Sequence, residues 1–268
     1  MTTQINLAPA QAALPLEGRV AIITGASRGI GREISTHLAS LGARLVLNYA
    51  SNSAQADSLA AELNSRYGGS IDTPCAVTVQ GDVSDPDAVR SIFDRAEQAF
   101  GSQAHLLVAC AGILNSKYPS LADTTVDDFD EMFKVNARGA FLLCREAAKR
   151  LSHNGWGRIV TFSSSIVGTL LPGYAAYTAT NAAVETMTKI LAKELQGTGI
   201  TANVVAPGPV KTELFFAGKD EEFVKNVTER SSGRIAETKD IAPVVGFLVS
   251  EAAGWVNGQV IRVNGGFV

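Results

Sequence analysis

Apolar residues in this chain come in short unbroken runs, separated by longer stretches where they recur every three or four positions. Arg19-Val-Ala-Ile-Ile-Thr24 is the first such run. With no polar alternation, it reads as a strand buried on both faces, the state a parallel sheet imposes. Similar runs at 44–48, 74–80, 106–109, 158–163, 200–205 and 260–263 predict further strands. Between them lie helical patterns. Residues 31–41 carry Ile34, Leu38 and Leu41 on one face and stop at Gly42. Residues 54–64 form a second helix. Residues 86–100 open with Asp85 as cap and Pro86 in the first turn, and place Val89, Ile92, Phe93 and Ala96 on one side. A single long helix is expected over 129–151, another from Tyr177 to about Leu195, and a last one over 240–250. Strand and helix alternate throughout. The fold class is therefore α/β, a doubly wound parallel sheet of Rossmann type in a single domain, with ligand at the carboxyl ends of the strands. The polar segment 212–238, with Gly218 and Gly233, reads as a lid over substrate or a surface helical insertion, and its position favours the lid.

A chain of 268 residues suits one such domain, set at 17–268. Residues 1–16 read as a flexible extension: Met1–Leu14 is rich in Ala and Gln and uncharged, without the basic start of a signal peptide or the arginines of a transit peptide. Net charge is −3 with no Lys/Arg cluster, which argues against a nucleic-acid or acidic-membrane partner. No apolar run reaches the ~18–20 residues of a membrane helix. Cys75, Cys110 and Cys144 are odd in number and form no CxxC. They read as reduced thiols and give a cytoplasmic expectation. His37, His105 and His153 lack metal-ligand spacing, so no metal is expected.

The chemistry begins at Thr24-Gly25-Ala-Ser27-Arg28-Gly29-Ile30-Gly31, between the first strand and first helix. Glycines let the backbone turn tightly against a diphosphate, and the helix N-terminus supplies free N–H groups. The second strand ends in Asn48-Tyr49-Ala50-Ser51-Asn52, with no carboxylate to hold the ribose hydroxyls of NAD and repel a 2′-phosphate. Arg28 and the nearby hydroxyls suit a phosphate. NADP(H) is the expected cofactor.

Further along stand Ser163-Ser164-Ser165-Ile-Val-Gly168 and Tyr177-Thr-Ala-Thr-Asn181. With the glycine turn, Gly81-Asp82-Val83, Cys110-Ala111-Gly112, Val135-Asn136-Ala-Arg-Gly139 and Pro207-Gly208-Pro209-Val210-Lys-Thr212, they resemble the short-chain dehydrogenase/reductase family over about residues 17–268. The resemblance implies that Asp82, beside Val83, holds the adenine amino group. It implies that Ala111 and Gly112 let the backbone approach the cofactor, although two family asparagines are replaced by Ala109 and Cys110. Pro207, Gly208 and Val210 would pack on nicotinamide, with Thr212 on its carboxamide. Tyr177 would be the acid–base and a serine would polarise the carbonyl. Ser165 fits the Ser-x-x-Gly spacing to Gly168 and is favoured; Ser164 fits the usual thirteen-residue separation from Tyr177 and stays open. Asn136 matches the asparagine at a helix kink whose water links to the active-site lysine.

That lysine is Asn181 here. Asn181 is neutral: it can bond a ribose hydroxyl but cannot acidify Tyr177. Lys189 and Lys193 lie too far along the helix to substitute. Three accounts are open: an introduced substitution, a pocket turned to another task, or a water or substrate group in the lysine's place. The expected function is hydride transfer between NADPH and the carbonyl of a small, fairly apolar aldehyde or ketone, impaired by Asn181. The alternative is an NADP(H)-binding protein or a non-redox enzyme such as a cyclase. Leu114, Leu170, Leu171, Tyr174, Leu214, Phe215 and Phe216 flank the motifs and are expected to line the pocket. The family further implies a homotetramer or dimer.

Overall fold

The computed structural model describes residues 14–68, 73–153 and 156–268. Seven strands, β1 (Val20–Thr24), β2 (Arg44–Tyr49), β3 (Ala76–Gln80), β4 (Leu106–Ala109), β5 (Arg158–Phe162), β6 (Thr201–Pro207) and β7 (Val260–Val263), form one sheet ordered β3-β2-β1-β4-β5-β6-β7. Every pairing is parallel. The connections hold α1 (Gly29–Ser40), α2 (Ser53–Tyr67), α3 (Pro86–Phe100), α4 (Val126–Met132), α5 (Gly139–Arg150), α6 (Ile166–Thr169), α7 (Ala175–Glu194), α8 (Glu213–Phe216), α9 (Glu221–Arg230) and α10 (Thr238–Leu248).

The apolar run of β1 explains the layering. Ala21 and Ile23 join a core under α1, α2 and α10, while Val20 and Ile22 join a second core under α3, α5 and α7. Each large aliphatic side chain so buried stabilises the fold by roughly 1.5–3 kcal/mol. Chain direction across the sheet reverses at β1, which lies between β2 and β4. The crevice at their carboxyl ends is where ligands of such sheets bind.

Helix α3 is built as its sequence dictates. The Asp85 side chain accepts from the Asp87 N–H, Pro86 occupies the first turn, and Val89, Ile92, Phe93 and Ala96 are all buried. The expected long helix over 129–151 is instead three pieces: α4, a π-helical stretch Phe133–Arg138, and α5. Gly139 packs against Val83 so closely that a Cβ would lie 2.8 Å from Val83 Cγ2, and Asn136 is clamped from outside the helix, as described below. A one-residue π insertion leaves the apolar spacing nearly helical, so the break is silent in the pattern.

Of the extension expected over 1–16, residues 1–13 lie outside the described residues. Leu16 is buried, and its N–H donates to Leu41 O at 2.9 Å, so the fold takes in at least that residue. The segment 212–238 carries α8 and α9 and packs over the carboxyl end of the sheet, so helical insertion and cover are one structure. Among the described residues, no helix is long and apolar enough to cross a membrane, and no His/Cys/Asp/Glu group is placed to hold a metal.

Candidate active site

The glycine turn is locked by contacts that exclude side chains. Gly25 (φ 64°) and Gly29 (φ 55°) adopt left-handed backbone. A Cβ on Gly31 would lie 2.2 Å from Gly25 O. Thr24 Oγ1 accepts from the N–H of both Cys110 and Ala111 at 3.1 Å, which ties the ends of β1 and β4. The Ala26 N–H donates to Asn48 O at 3.0 Å, so the turn also lies against the end of β2. Arg28 occupies the cap position of α1 and makes no side-chain capping bond. The first N–H groups of α1, from Gly29 through Ile30 to Gly31, are left for an anion, and this fits a diphosphate. Arg28 reaches across to Glu213 of α8 at 2.6 Å, with both side chains mostly exposed. Ser27 is half-buried beside it.

The end of β2 differs from expectation at Asn48. Its side chain is buried and donates to Gly81 O (3.0 Å) and Val79 O (3.4 Å), so it ties β2 to β3 and is not free for a ribose. Asn52 caps α2 by accepting from the Gln55 N–H. Ala50 and Ser51 are exposed, and Tyr49 is half-buried. Asp82 accepts from the Ser84 N–H at 2.9 Å. Burial pushes its carboxyl up, but the Ser84 bonds and the charges of Lys134 and Arg138 outweigh that and hold it below the usual range.

Tyr177, the expected acid–base group, lies in the first turn of α7. Burial pushes its phenol above its ordinary value; the neighbouring polar side chains of Asn181 and Ser164 offset only part of this. Ser164 is thus the serine that meets Tyr177. Ser165 is turned away: its Oγ donates to Ala206 O (3.2 Å), its N–H donates to Pro207 O (2.8 Å), and it is buried. The reason is the short helix α6, which begins at once after Ser165 and rotates it into the sheet. The thirteen-residue separation picks out the serine beside Tyr177, and the Gly168 spacing picks out the one bonded to the sheet. Ser163 donates to Glu185 at 2.8 Å.

Asn181 is buried, and its Nδ2 donates back to the carbonyl of Tyr177 at 2.8 Å. The Thr180 hydroxyl donates to the same carbonyl at 2.8 Å. Asn136, in the π-helical stretch, accepts from the Ile113 N–H (2.8 Å) and donates to Ile113 O (2.9 Å) and Thr180 Oγ1 (3.3 Å). Both amide hydrogens of Asn136 are therefore engaged in holding the loop after β4 against α7. Cys110 borders the cavity, but burial pushes its thiol up to about 12, so it is no nucleophile.

Tyr177, Ser164 and Asn181 line a cavity of about 200 Å³. Leu114, Leu171, Tyr174, Leu214 and Phe215 line it as expected. Leu170 (71% exposed) and Phe216 (45%) do not. Leu170 has left-handed backbone at the end of α6, which turns it out to solvent. Lys219, Phe223 and Val227 were not foreseen as lining. Their regular spacing of four from Phe215 was the legible signal. Thr212 caps α8 through the Phe215 N–H and lies against Gly29, so the loop Pro207–Thr212 closes over the start of α1. Gly208 abuts Asn264, with no room for a Cβ, and Val210 is buried. Ala111 and Gly112 line the cavity between Gly25 and Asn136.

A family model described as "Enoyl-(Acyl carrier protein) reductase" matches residues 25–268. A short chain dehydrogenase from Burkholderia cenocepacia J2315, solved in complex with NADP, superposes with a TM-score of 0.85 at 32% identity, covering 94% of this chain and 99% of that one. The chain belongs to the short-chain dehydrogenase/reductase family. Other members are more similar. The NADPH-dependent aldehyde reductase-like protein, chloroplastic, of Arabidopsis thaliana is 56% identical over 262 residues, 96% of this chain and 97% of the relative. The NADPH-dependent aldehyde reductase 2, chloroplastic, of the same plant is 50% identical over 258 residues, 94% and 95%. These relatives overturn the cytoplasmic expectation and point to a plastid. Unpaired thiols report a reducing compartment, and more than one compartment of a plant cell is reducing. Within this short-chain dehydrogenase/reductase, Asn181 sits one helical turn beyond Tyr177 and leaves the phenol with no cation among the groups that shift its titration.

Proposed function

We propose that this protein reduces the carbonyl of small aldehydes or ketones with NADPH, slowed by Asn181. The observation that carries the reading is the Tyr177 hydroxyl, with Ser164 beside it, on an apolar cavity that the uncapped start of α1 adjoins through Ile30. The aldehyde reductase names of the two Arabidopsis relatives support it. NADPH, when bound, supplies the hydride. The first turn of α1 would hold its diphosphate, Arg28 its 2′-phosphate, Asp82 its adenine and Thr212 its carboxamide. Tyr177 gives its proton to the carbonyl oxygen while Ser164 donates a hydrogen bond to that oxygen. Asn136 keeps the loop after β4 in place. Because burial raises the phenol, Tyr177 holds its proton at neutral pH and yields it reluctantly. A second reading, an NADP(H)-binding protein without turnover, rests on the neutral Asn181 alone, and the aldehyde reductase relatives do not favour it.

The test pairs NADPH and NADH affinities with NADPH oxidation across an aldehyde panel, in the parent and in Arg28→Ala. Loss of a charge-assisted contact to the 2′-phosphate is expected to weaken NADPH about tenfold to a hundredfold and to leave NADH nearly unaffected. Equal affinities in the parent reject NADPH selectivity. Tight NADPH binding with no turnover of any aldehyde selects the second reading.

We infer further that copies of this chain associate through α5 and α7. Phe141 and Ile190 stand 45% and 51% exposed there, around a shallow depression with Cys144, Met187 and Leu191. Contiguous apolar surface of this kind marks an association site. Light scattering is expected to give a dimer or tetramer of the 28.1 kDa chain; a monomer at micromolar concentration rejects the inference.

A further inference from the structure

We propose that Lys219 selects aldehydes carrying a carboxylate remote from the reacting carbonyl, and that it binds that carboxylate. The proposal rests on the carbonyl-reductase reading of the cavity and names its substrate class. Lys219 follows α8 and is the only charged side chain among the described residues that line the cavity. Its Nζ donates to Tyr118 Oη (2.5 Å) and Phe215 O (2.6 Å). An ammonium has three protons, so one remains for a ligand. The rings of Tyr118, Phe215, Phe223 and Tyr174 surround it, with centroids 4.6, 4.9, 5.7 and 5.8 Å away.

No carboxylate among the described residues forms an ion pair with it. The carboxyl of Asp220, next in the chain, instead caps α9 through the Phe223 N–H at 2.8 Å. Ions taken out of water are ordinarily paired. Here burial lowers the ammonium to about 8, and the titratable groups facing it are the phenols of Tyr118 and Tyr174, both raised. Lys219 is therefore a largely charged, half-buried cation at neutral pH whose counter-ion no described residue supplies.

Two tyrosine rings link Lys219 to the reacting end of the cavity. The Tyr118 and Tyr174 rings meet at 4.9 Å. Both contact Lys219, and both are near enough to Tyr177 to interact with its phenol. A molecule whose carbonyl lies on Tyr177 and Ser164 can extend along these rings toward Lys219, and an aromatic aldehyde with a remote carboxylate probes that arrangement. A single charge with one free N–H matches a monoanion, and a carboxylate fits a cavity of about 200 Å³.

The experiment compares para-carboxybenzaldehyde with benzaldehyde, using NADPH, in the parent and in Lys219→Gln, Lys219→Arg and Tyr118→Phe. The carboxylated aldehyde is expected to have a kcat/KM about tenfold or more higher, with the gain in KM. Lys219→Gln removes that preference, Lys219→Arg restores part of it, and Tyr118→Phe, which keeps the charge, retains it. No preference in the parent, or a preference that survives Lys219→Gln, overturns the proposal. So does a Tyr118→Phe variant that loses as much as Lys219→Gln, because Lys219 would then only pin the segment between α8 and α9. If neither aldehyde is reduced, the reductase reading is the one that fails. Calorimetric titration of para-carboxybenzyl alcohol against benzyl alcohol, with NADP⁺ present, then decides on Lys219 without turnover: tighter binding that Lys219→Gln abolishes upholds it, and equal binding rejects it.

Discussion

Asn181→Lys is expected to raise aldehyde reduction with NADPH by at least about a hundredfold, the lower end of what general acid–base catalysis contributes. In the parent, burial holds the Tyr177 phenol above its ordinary value, and the neighbours that lower it are the neutral side chains of Asn181 and Ser164. A unit positive charge about 4 Å away, at an effective dielectric near 20, favours the phenolate by about 4 kcal/mol, or roughly three pKa units. The substitution also releases the amide that folds back on the Tyr177 carbonyl. The measurement is kcat against pH for both proteins: the limb governed by Tyr177 should move to lower pH in the lysine variant, with the KM for the aldehyde little changed. A parent that already turns over at the variant's rate would mean that a water or a substrate group activates the phenol.

Ser164→Ala, made in the lysine variant so that rates are measurable, is expected to lower kcat by about a hundredfold to a thousandfold, the range for removing one oxyanion donor. Ser165→Ala is expected to leave kcat within a few-fold and to lower stability by about 1 kcal/mol, the worth of its bond to Ala206 O. The pair is discriminating because the two hydroxyls are chain neighbours with opposite surroundings. One meets Tyr177, and the other points into the sheet. A loss on Ser165→Ala and none on Ser164→Ala would reverse the assignment.

The sheet was legible because its strands are apolar on both faces, and α3 because cap, proline and apolar face agree. The glycine turn was legible because its contacts are with backbone: Gly31 meets Gly25 O whatever side chains surround it. What escaped the sequence depends on rotation or on partners distant in the chain. One residue of phase at the start of α6 decides which of Ser164 and Ser165 lies beside Tyr177 and throws Leu170 outward. Asn48 reads as a polar group at a ligand edge, yet Gly81 claims it. The π-helical stretch at Asn136 is held by Ile113 and Thr180, and neither is its sequence neighbour. Lys219 reads as one charge in a polar segment until Tyr118, about a hundred residues earlier, is placed beside it.

Thr24 fastens the glycine turn to β4, whereas Tyr177 arrives on α7 from the other half of the sheet. Among the described residues, no hydrogen bond runs from residues 24–31 to α7. A change at position 181 therefore alters no hydrogen bond of the glycine turn. One position is thus expected to set how fast the protein spends reducing equivalents, while the turn expected to bind them keeps its shape.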